Sequence, residues 1–240
     1  MARSRVATLG WVVAIAFVAG TVLSFVDQLN LWATPPTLPA GASIVDRVLG
    51  SAAYLQQIWP VFFGTNLAFA IGFAAAAAFA AAVASVVGGR GGLPTFTTLV
   101  IVGGIVGAIA SLITLGAGSA HVFAPYCDCA SKDTEIVGQV AALTVLNEIS
   151  DWMNRFAAIV VAVAMVLFAR EARPVLSDTL RSWTWIAALG LVVTVILGIV
   201  GTSLDPIPNL VQALVVGVIV PIWAVWLGRA VDRSATPEAA

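Results

Sequence analysis

Five stretches of the sequence contain no Asp, Glu, Lys or Arg, and each is long enough to cross the roughly 30 Å hydrocarbon core of a bilayer as an α-helix. These stretches are Val6–Val26, Ile58–Val87, Leu93–Ala117, Ser182–Leu204 and Pro206–Gly228. A sixth helical pattern, Ile136–Ala169, ends in an apolar run but carries polar residues before it. We therefore predict an all-α, polytopic membrane protein whose six transmembrane helices form one bundle and a single domain over residues 1–240.

Charge is scarce along the chain, which excludes several other classes of protein. Charged residues make up 10 % of the sequence, whereas a soluble domain carries about a quarter. This composition excludes a soluble enzyme, a disordered tail and a disulfide-stapled secreted domain. The formal net charge of −1 leaves no basic surface to neutralise phosphates, so we expect no nucleic-acid partner. Membrane lipid is the predicted partner of the spans.

The positions of arginine and lysine between the spans predict their orientation. With the amino terminus inside, the outer loops hold only Arg47 and Lys132. Because cytoplasmic loops carry an excess of Lys and Arg, we predict that both termini are cytoplasmic, in a plasma or inner membrane. The arginines of the inner segments are Arg3, Arg5, Arg90, Arg170, Arg173, Arg181, Arg229 and Arg233.

The loop after the first span contains a second, shorter helical pattern. Ser43 can cap a helix that runs to Gln57, with apolar residues at helical spacing and with Asp46, Arg47 and Gln56 on the opposite face. We interpret this segment as a short outer interfacial helix lying on the membrane surface. A helix folded back over the mouth of the bundle explains the same pattern.

Small residues and one proline predict how the spans pack. Gly103 and Gly107 stand in a GxxxG register in the third span, a spacing that lets helix backbones approach closely. Exposed faces of this kind allow a homo-oligomer or a membrane-protein partner but do not require one. Pro221 removes a backbone hydrogen bond inside the last span and is expected to kink it.

The polar start of the fourth span contains the candidate ligand-binding residues Asn147, Glu148, Asp151, Asn154 and Arg155. The apolar run after them covers about 21 Å, so a core of roughly 30 Å must include Arg155 and Asp151 at its outer edge. We predict an outward-facing polar pocket in which Glu148 and Asp151 accept a cation or proton and Arg155 is the counter-charge. The alternative is a structural ion pair that pins this span to Asn66, Gln57, Thr114 or Gln212. The shallow depth of the cluster favours this alternative, because snorkelling and water relieve the cost of the charges.

The outer loop between the third and fourth spans contains the redox or metal candidates His121, Cys127 and Cys129, which are the only histidine and the only cysteines of the chain. A Cys-x-Cys pair with a nearby histidine could bind a metal ion, but structural zinc sites need four ligands at wider spacing. A strained Cys127–Cys129 disulfide that tethers the loop or exchanges thiols is favoured over a metal. A modest structural role is favoured over both, and no cofactor is predicted.

Three segments carry a resemblance to a known family. They are the polar turn Glu148, Asp151 and Trp152, the Ala-Arg-Glu-Ala-Arg stretch after the fourth span, and the closing pattern from Pro208-Asn209 to Pro221-Ile222-Trp223-Ala224-Val225-Trp226. In these segments the chain resembles a bacterial family of six-helix membrane proteins known as domain of unknown function 4386. That family has no established activity, so the resemblance implies an architecture and no chemistry. The Cys127-Asp128-Cys129 segment is not a feature that we associate with it.

The residues favour a non-enzymatic function. Nothing like a Gly-x-Ser-x-Gly elbow or a phosphate-cradling glycine loop is present. We therefore expect a membrane-embedded binding or regulatory protein that uses the polar pocket of the fourth span. One alternative is a membrane-bound thiol-redox or metal-dependent enzyme that uses the Cys-x-Cys loop. A further alternative is an ion- or proton-coupled transporter, against which the absence of an internal repeat weighs.

Overall fold

The computed structural model describes residues 3–37, 39, 41–87, 93–123, 133–171, 176–200 and 206–234. The regular structure in these ranges is helical throughout. The elements are α1 (Arg3–Gln28), α2 (Ile44–Gln57), α3 (Trp59–Val87), α4 (Leu93–Phe123), α5 (Asp133–Glu171), α6 (Asp178–Val200), α7 (Pro206–Leu214), a π-helical turn (Val215–Ile219) and α8 (Val220–Ser234).

Within the described ranges, six helical segments are long and apolar enough to cross a membrane. They are α1, α3, α4, α5, α6 and the continuous segment from α7 to α8, so the prediction of six long apolar helices is confirmed. That these six segments cross a membrane is inferred from their length and composition. At 39 residues, α5 is about 58 Å long, which exceeds a core of roughly 30 Å. Its polar first half can therefore extend beyond the core while its apolar second half lies within it.

The six spans form a closed bundle in chain order. Each span packs against the next one along the chain, and the π-helical turn and α8 return to α1. We call the end at which α1 begins and α8 ends the basic end, because Arg5, Arg181, Arg229 and Arg233 lie there. The opposite end, over which α2 packs, is called the α2 end. The two ends therefore differ in charge as well as in covering structure.

The hydrophobic core lies mainly in the half of the bundle near the basic end. Phe96 of α4 stacks on Phe168 of α5 with ring centroids 4.4 Å apart, and Phe79 of α3 meets Trp223 of α8 edge-on at 6.3 Å. The indole N–H of Trp223 donates to Thr184 Oγ1 at 3.0 Å, which satisfies the one polar atom of that ring. Because lipid is as apolar as these side chains, close van der Waals packing and such hydrogen bonds hold the helices together.

Glycines bring helix backbones together at several positions in the bundle. A Cβ at Gly104 would lie 2.6 Å from the carbonyl oxygen of Phe73, and one at Gly10 would lie 2.6 Å from that of Ala224. The GxxxG pair of α4 points in two directions, because Gly103 faces α5 whereas Gly107 faces the Phe73 ring of α3. Both glycines are buried inside the bundle. These two glycines therefore serve packing within the bundle, and a homo-oligomer or membrane-protein partner stays a prediction.

The last span is broken by a π-helical turn directly before Pro221. Proline has no N–H to donate to the carbonyl four residues earlier, and its ring clashes with that carbonyl. In the turn, the N–H of Val220 instead bonds to the carbonyl of Val215, five residues back. The distortion that the sequence predicts as a kink thus takes the form of a widened helical turn, as is common where a helix must absorb one extra residue.

Helix α2 packs over the end of the bundle. Ser43 caps it, and the Ser43 hydroxyl and the Asp46 carboxylate satisfy each other's backbone N–H in a capping box. The Ser43 hydroxyl donates to the Asp46 carboxylate at 2.7 Å, and this bond, together with the one from the Ser43 backbone N–H, holds the pKa of Asp46 below its usual value. Val48 and Ala52 are buried, and Gln56 Nε2 donates to the carbonyl of Val122 in α4 at 3.0 Å. These contacts hold α2 against α3, α4 and α5, and its placement on the membrane surface stays a prediction.

Candidate binding site on α5

The five polar residues predicted for a ligand site lie near the middle of α5, level with the last turn of α6. Asn147, Glu148 and Asp151 are exposed, and Asn154 and Arg155 are partly buried. Residues three or four apart on a helix are neighbours, so Asn147, Asp151 and Asn154 share one face. The opposite face is apolar and exposed, with Val145, Ile149, Trp152 and Phe156 each more than two-fifths accessible. We call Asn147, Glu148, Asp151, Asn154 and Arg155 together the α5 cluster.

Arg155 is bound to α6 and not to Asp151. Its Nη2 donates to the carbonyl oxygen of Gly198 at 3.1 Å, and its guanidinium carbon lies 4.9 Å from the ring centroid of Trp152. Gly198 lies in the last turn of α6, where carbonyls lack helical partners and the helix dipole is negative, so a cation is stabilised there. No Arg155 nitrogen lies within 4 Å of the Asp151 carboxylate, both of which lie in the described part of the chain. The ion pair expected from their spacing does not form.

Asn154 presents a buried acceptor to the same region. Its Oδ1 is inaccessible to solvent and has no hydrogen-bond partner in the described structure. Leaving a buried acceptor unpaired costs about 1–3 kcal/mol, which is why such atoms in native proteins are usually satisfied by other protein groups or by ordered water. Asp151 lies one turn away on the same face. The α5 cluster thus contains two neighbouring acceptors, an amide oxygen and a carboxylate, that no described side chain satisfies.

Ser150 positions this part of α5 against α4. It is fully buried, its hydroxyl lies 2.8 Å from the carbonyl oxygen of Ala110, and its oxygen lies 2.6 Å from the Thr114 hydroxyl. The interhelical pin foreseen as an alternative does involve Thr114, but its partner is this serine and not a charged residue. Sequence reasoning missed Ser150 in this role. The available signal was a small hydroxyl residue immediately before Asp151 in the sequence, at a helix position that faces α4.

A groove beside the α5 cluster is apolar. It has a volume of about 470 Å³ and runs along α5. Its lining comes from α5 alone and consists of Thr144, Val145, Glu148, Ile149, Trp152, Met153 and Phe156. Glu148 is the only residue that it shares with the α5 cluster. The acceptors of Asp151 and Asn154 therefore lie outside this groove, on a different face of the helix.

The redox or metal candidates are only partly within the described structure. His121 lies in the last turn of α4, and its Nε2 is 3.0 Å from the Ser51 hydroxyl of α2. Cys127 and Cys129 lie outside the described residues. Among the residues described, no three His, Cys, Asp or Glu side chains are close enough to hold a metal ion. The metal and disulfide hypotheses for the Cys-x-Cys loop stay predictions, and His121 contributes to the contact between α2 and α4.

Comparison of the chain with protein-family models, with curated proteins and with solved structures found no match.

Proposed function

We propose that this protein is a non-enzymatic, membrane-embedded binding protein whose α5 cluster accepts a small cationic ligand from the outer side of the membrane. The excess of arginine at the basic end supports an orientation in which that end is cytoplasmic. The α2 end, with the α5 cluster near it, then faces outward. In this orientation the cluster lies at the outer edge of the hydrocarbon core, within reach of water.

The observation that carries this proposal is that Arg155 contacts Gly198 and Trp152 and not the carboxylates of the α5 cluster. Glu148 and Asp151 bring two formal negative charges to the cluster, and Arg155 brings one positive charge that is bound to Gly198 and Trp152. The cluster therefore has a formal charge of −1, and its single cation is directed toward α6. Ionisable groups at membrane depth are costly unless they are paired, and they commonly mark ligand or ion sites. A ligand with one positive charge would complete the pairing.

The acceptors also define the ligand's hydrogen-bonding groups. Asn154 Oδ1 is buried without a partner, and the Asp151 carboxylate lies one turn away. A primary ammonium group carries a positive charge and three N–H donors, so it can donate to several oxygen acceptors. A quaternary ammonium group has the same charge but no N–H donor. The proposal therefore favours primary ammonium compounds over quaternary ones.

Methylammonium and tetramethylammonium provide a matched pair of probes. We expect methylammonium to raise the melting temperature of the detergent-purified protein and tetramethylammonium to leave it nearly unchanged. At 100 times Kd the stabilisation is about 2.7 kcal/mol, or roughly 5–10 °C for a chain of this size. Asp151→Asn keeps the shape of the side chain but removes its charge, and it is expected to abolish the shift.

Asp178→Asn is the control for this experiment. Asp178 lies at the basic end, is almost fully exposed and pairs with Arg181 at 3.6 Å, so its loss should leave the methylammonium shift intact. Equal shifts with both ammonium ions, or a shift that survives Asp151→Asn, would contradict the proposal. So would the absence of any shift with the unmodified protein at up to 100 mM methylammonium, about 100 times a Kd of 1 mM.

A further inference from the structure

A second groove runs between α1 and α8, away from the α5 cluster. It has a volume of about 490 Å³ and lies on the outer surface of this helix pair. The part of the groove farther from the basic end is apolar. It is lined by Ala14 and Val18 of α1 and by Pro221, Ile222 and Val225 of α8. From Pro221 to Arg233 the groove extends about 18 Å along the helix axis. That length is close to half of a bilayer core of roughly 30 Å, which is the depth of one leaflet.

The basic end of the groove presents two arginines and two tryptophans. Arg229 and Arg233 are four residues apart on one face of α8, and both line the groove. The Arg229 guanidinium lies 5.4 Å from the ring centroid of Trp11, and Trp226 also lines this end. Tryptophans of this kind mark the depth at which lipid headgroups begin.

The two groove arginines lack acidic partners in the described structure. No carboxylate oxygen of the described residues lies within 4 Å of either guanidinium, whereas Arg181 at the same end of the bundle pairs with Asp178. A guanidinium can bind a phosphate through two parallel hydrogen bonds, and an unpaired one on a membrane surface attracts anionic headgroups. The charge of this end of the groove therefore complements a phosphate, and its apolar part complements an acyl chain.

We propose that the groove binds one anionic phospholipid, with its phosphate between Arg229 and Arg233 and an acyl chain along the apolar lining toward Val18. The bound lipid covers an apolar surface between α1 and α8, the two helices that close the ring of spans. This site is independent of the α5 cluster and of any ligand bound there.

Native mass spectrometry of the delipidated protein tests this proposal directly. The protein in detergent is mixed with equal amounts of phosphatidylglycerol and phosphatidylcholine that carry identical acyl chains. We expect one phosphatidylglycerol per chain to be retained in preference to phosphatidylcholine. Each arginine at an anionic surface contributes about fivefold in affinity, so the double variant Arg229→Gln/Arg233→Gln should reduce this preference about 25-fold. Arg181→Gln, which removes a paired arginine outside the groove, should leave it unchanged.

A second variant keeps the test valid if loss of two arginines alters insertion or folding. Val18→Trp fills the apolar part of the groove at an exposed position and leaves every charge in place. It should also abolish selective retention. Equal retention of the two lipids by the unmodified protein would overturn the proposal, and so would selective retention that survives Val18→Trp. A lipid-free dimer that Val18→Trp dissociates would assign the groove to a second copy of the chain and would equally overturn it.

Discussion

Replacing Gly104 with alanine is expected to destabilise the bundle by forcing α3 and α4 apart. The added Cβ would lie 2.6 Å from the carbonyl oxygen of Phe73 and 3.0 Å from Cβ of Ala77. The first contact must lengthen by about 0.8 Å to reach an ordinary separation of 3.4 Å. Because the obstructing atom is backbone, it cannot rotate away as a side chain could. Overpacking of this kind costs about 1–3 kcal/mol.

The matched control lies on the same helix. A Cβ at Gly116 would meet no atom within 4 Å, so Gly116→Ala adds the helix propensity of alanine, worth up to about 1 kcal/mol, without a clash. Gly104→Ala has the same gain in helix propensity, so its net loss of stability should be about 0–2 kcal/mol. Unfolding in mixed micelles at increasing mole fractions of SDS, followed by tryptophan fluorescence, measures both variants. Equal midpoints for the two alanine variants would refute the close approach of α3 and α4 at Gly104.

The contact between α2 and α1 predicts a tyrosine with a raised pKa. Tyr54 of α2 donates to the Asp27 carboxylate of α1 at 2.9 Å. Burial, together with this carboxylate, raises the pKa of Tyr54 to about 12. The variant Tyr126→Phe removes the only other tyrosine of the sequence, so an absorbance titration of this variant reports on Tyr54 alone. Its phenolate should form near pH 12. Ionisation near pH 10 would show that the contact with Asp27 is absent. Since the folded pKa lies above the unfolded value of about 10, this contact stabilises the protein fully below pH 10 and its contribution is lost as pH rises through 12. The predicted outer position of the Cys-x-Cys loop means that a membrane-impermeant thiol reagent should label it in intact cells. Labelling without reductant would show that Cys127 and Cys129 are free thiols, and labelling only after reduction would show a disulfide. Labelling that requires permeabilisation would show that the predicted orientation is inverted.

The helices could be predicted from the sequence because their signal is local. Uncharged runs of more than twenty residues have few alternatives to a membrane-length helix. The same holds for the cap of α2, since Ser43 and Asp46 are three residues apart and satisfy each other's N–H. The distortion at Pro221 follows from the missing N–H of one residue. In each case the interacting groups are close in the chain.

The partners of the α5 cluster could not be predicted, because they depend on how distant helices meet. The spacing of Asp151 and Arg155 favours an ion pair, but the end of α6 supplies Arg155 with a carbonyl acceptor 43 residues away along the chain. Ser150 contacts Ala110 and Thr114 across a similar separation. The GxxxG spacing of Gly103 and Gly107 correctly indicates close packing, but spacing alone cannot assign the two glycines to different neighbouring helices.

Accessibility of α5 at two adjacent positions tests the outward-facing site most directly. In a background with Cys127→Ser and Cys129→Ser, single cysteines are introduced as Asp151→Cys and Ser150→Cys, and intact cells are treated with a membrane-impermeant thiol reagent. Asp151 is exposed in the α5 cluster, whereas Ser150 is fully buried against α4. An outward-facing α5 cluster predicts that the first variant is labelled and the second is not. Equal labelling at both positions, or labelling of Asp151→Cys only after permeabilisation, would contradict it.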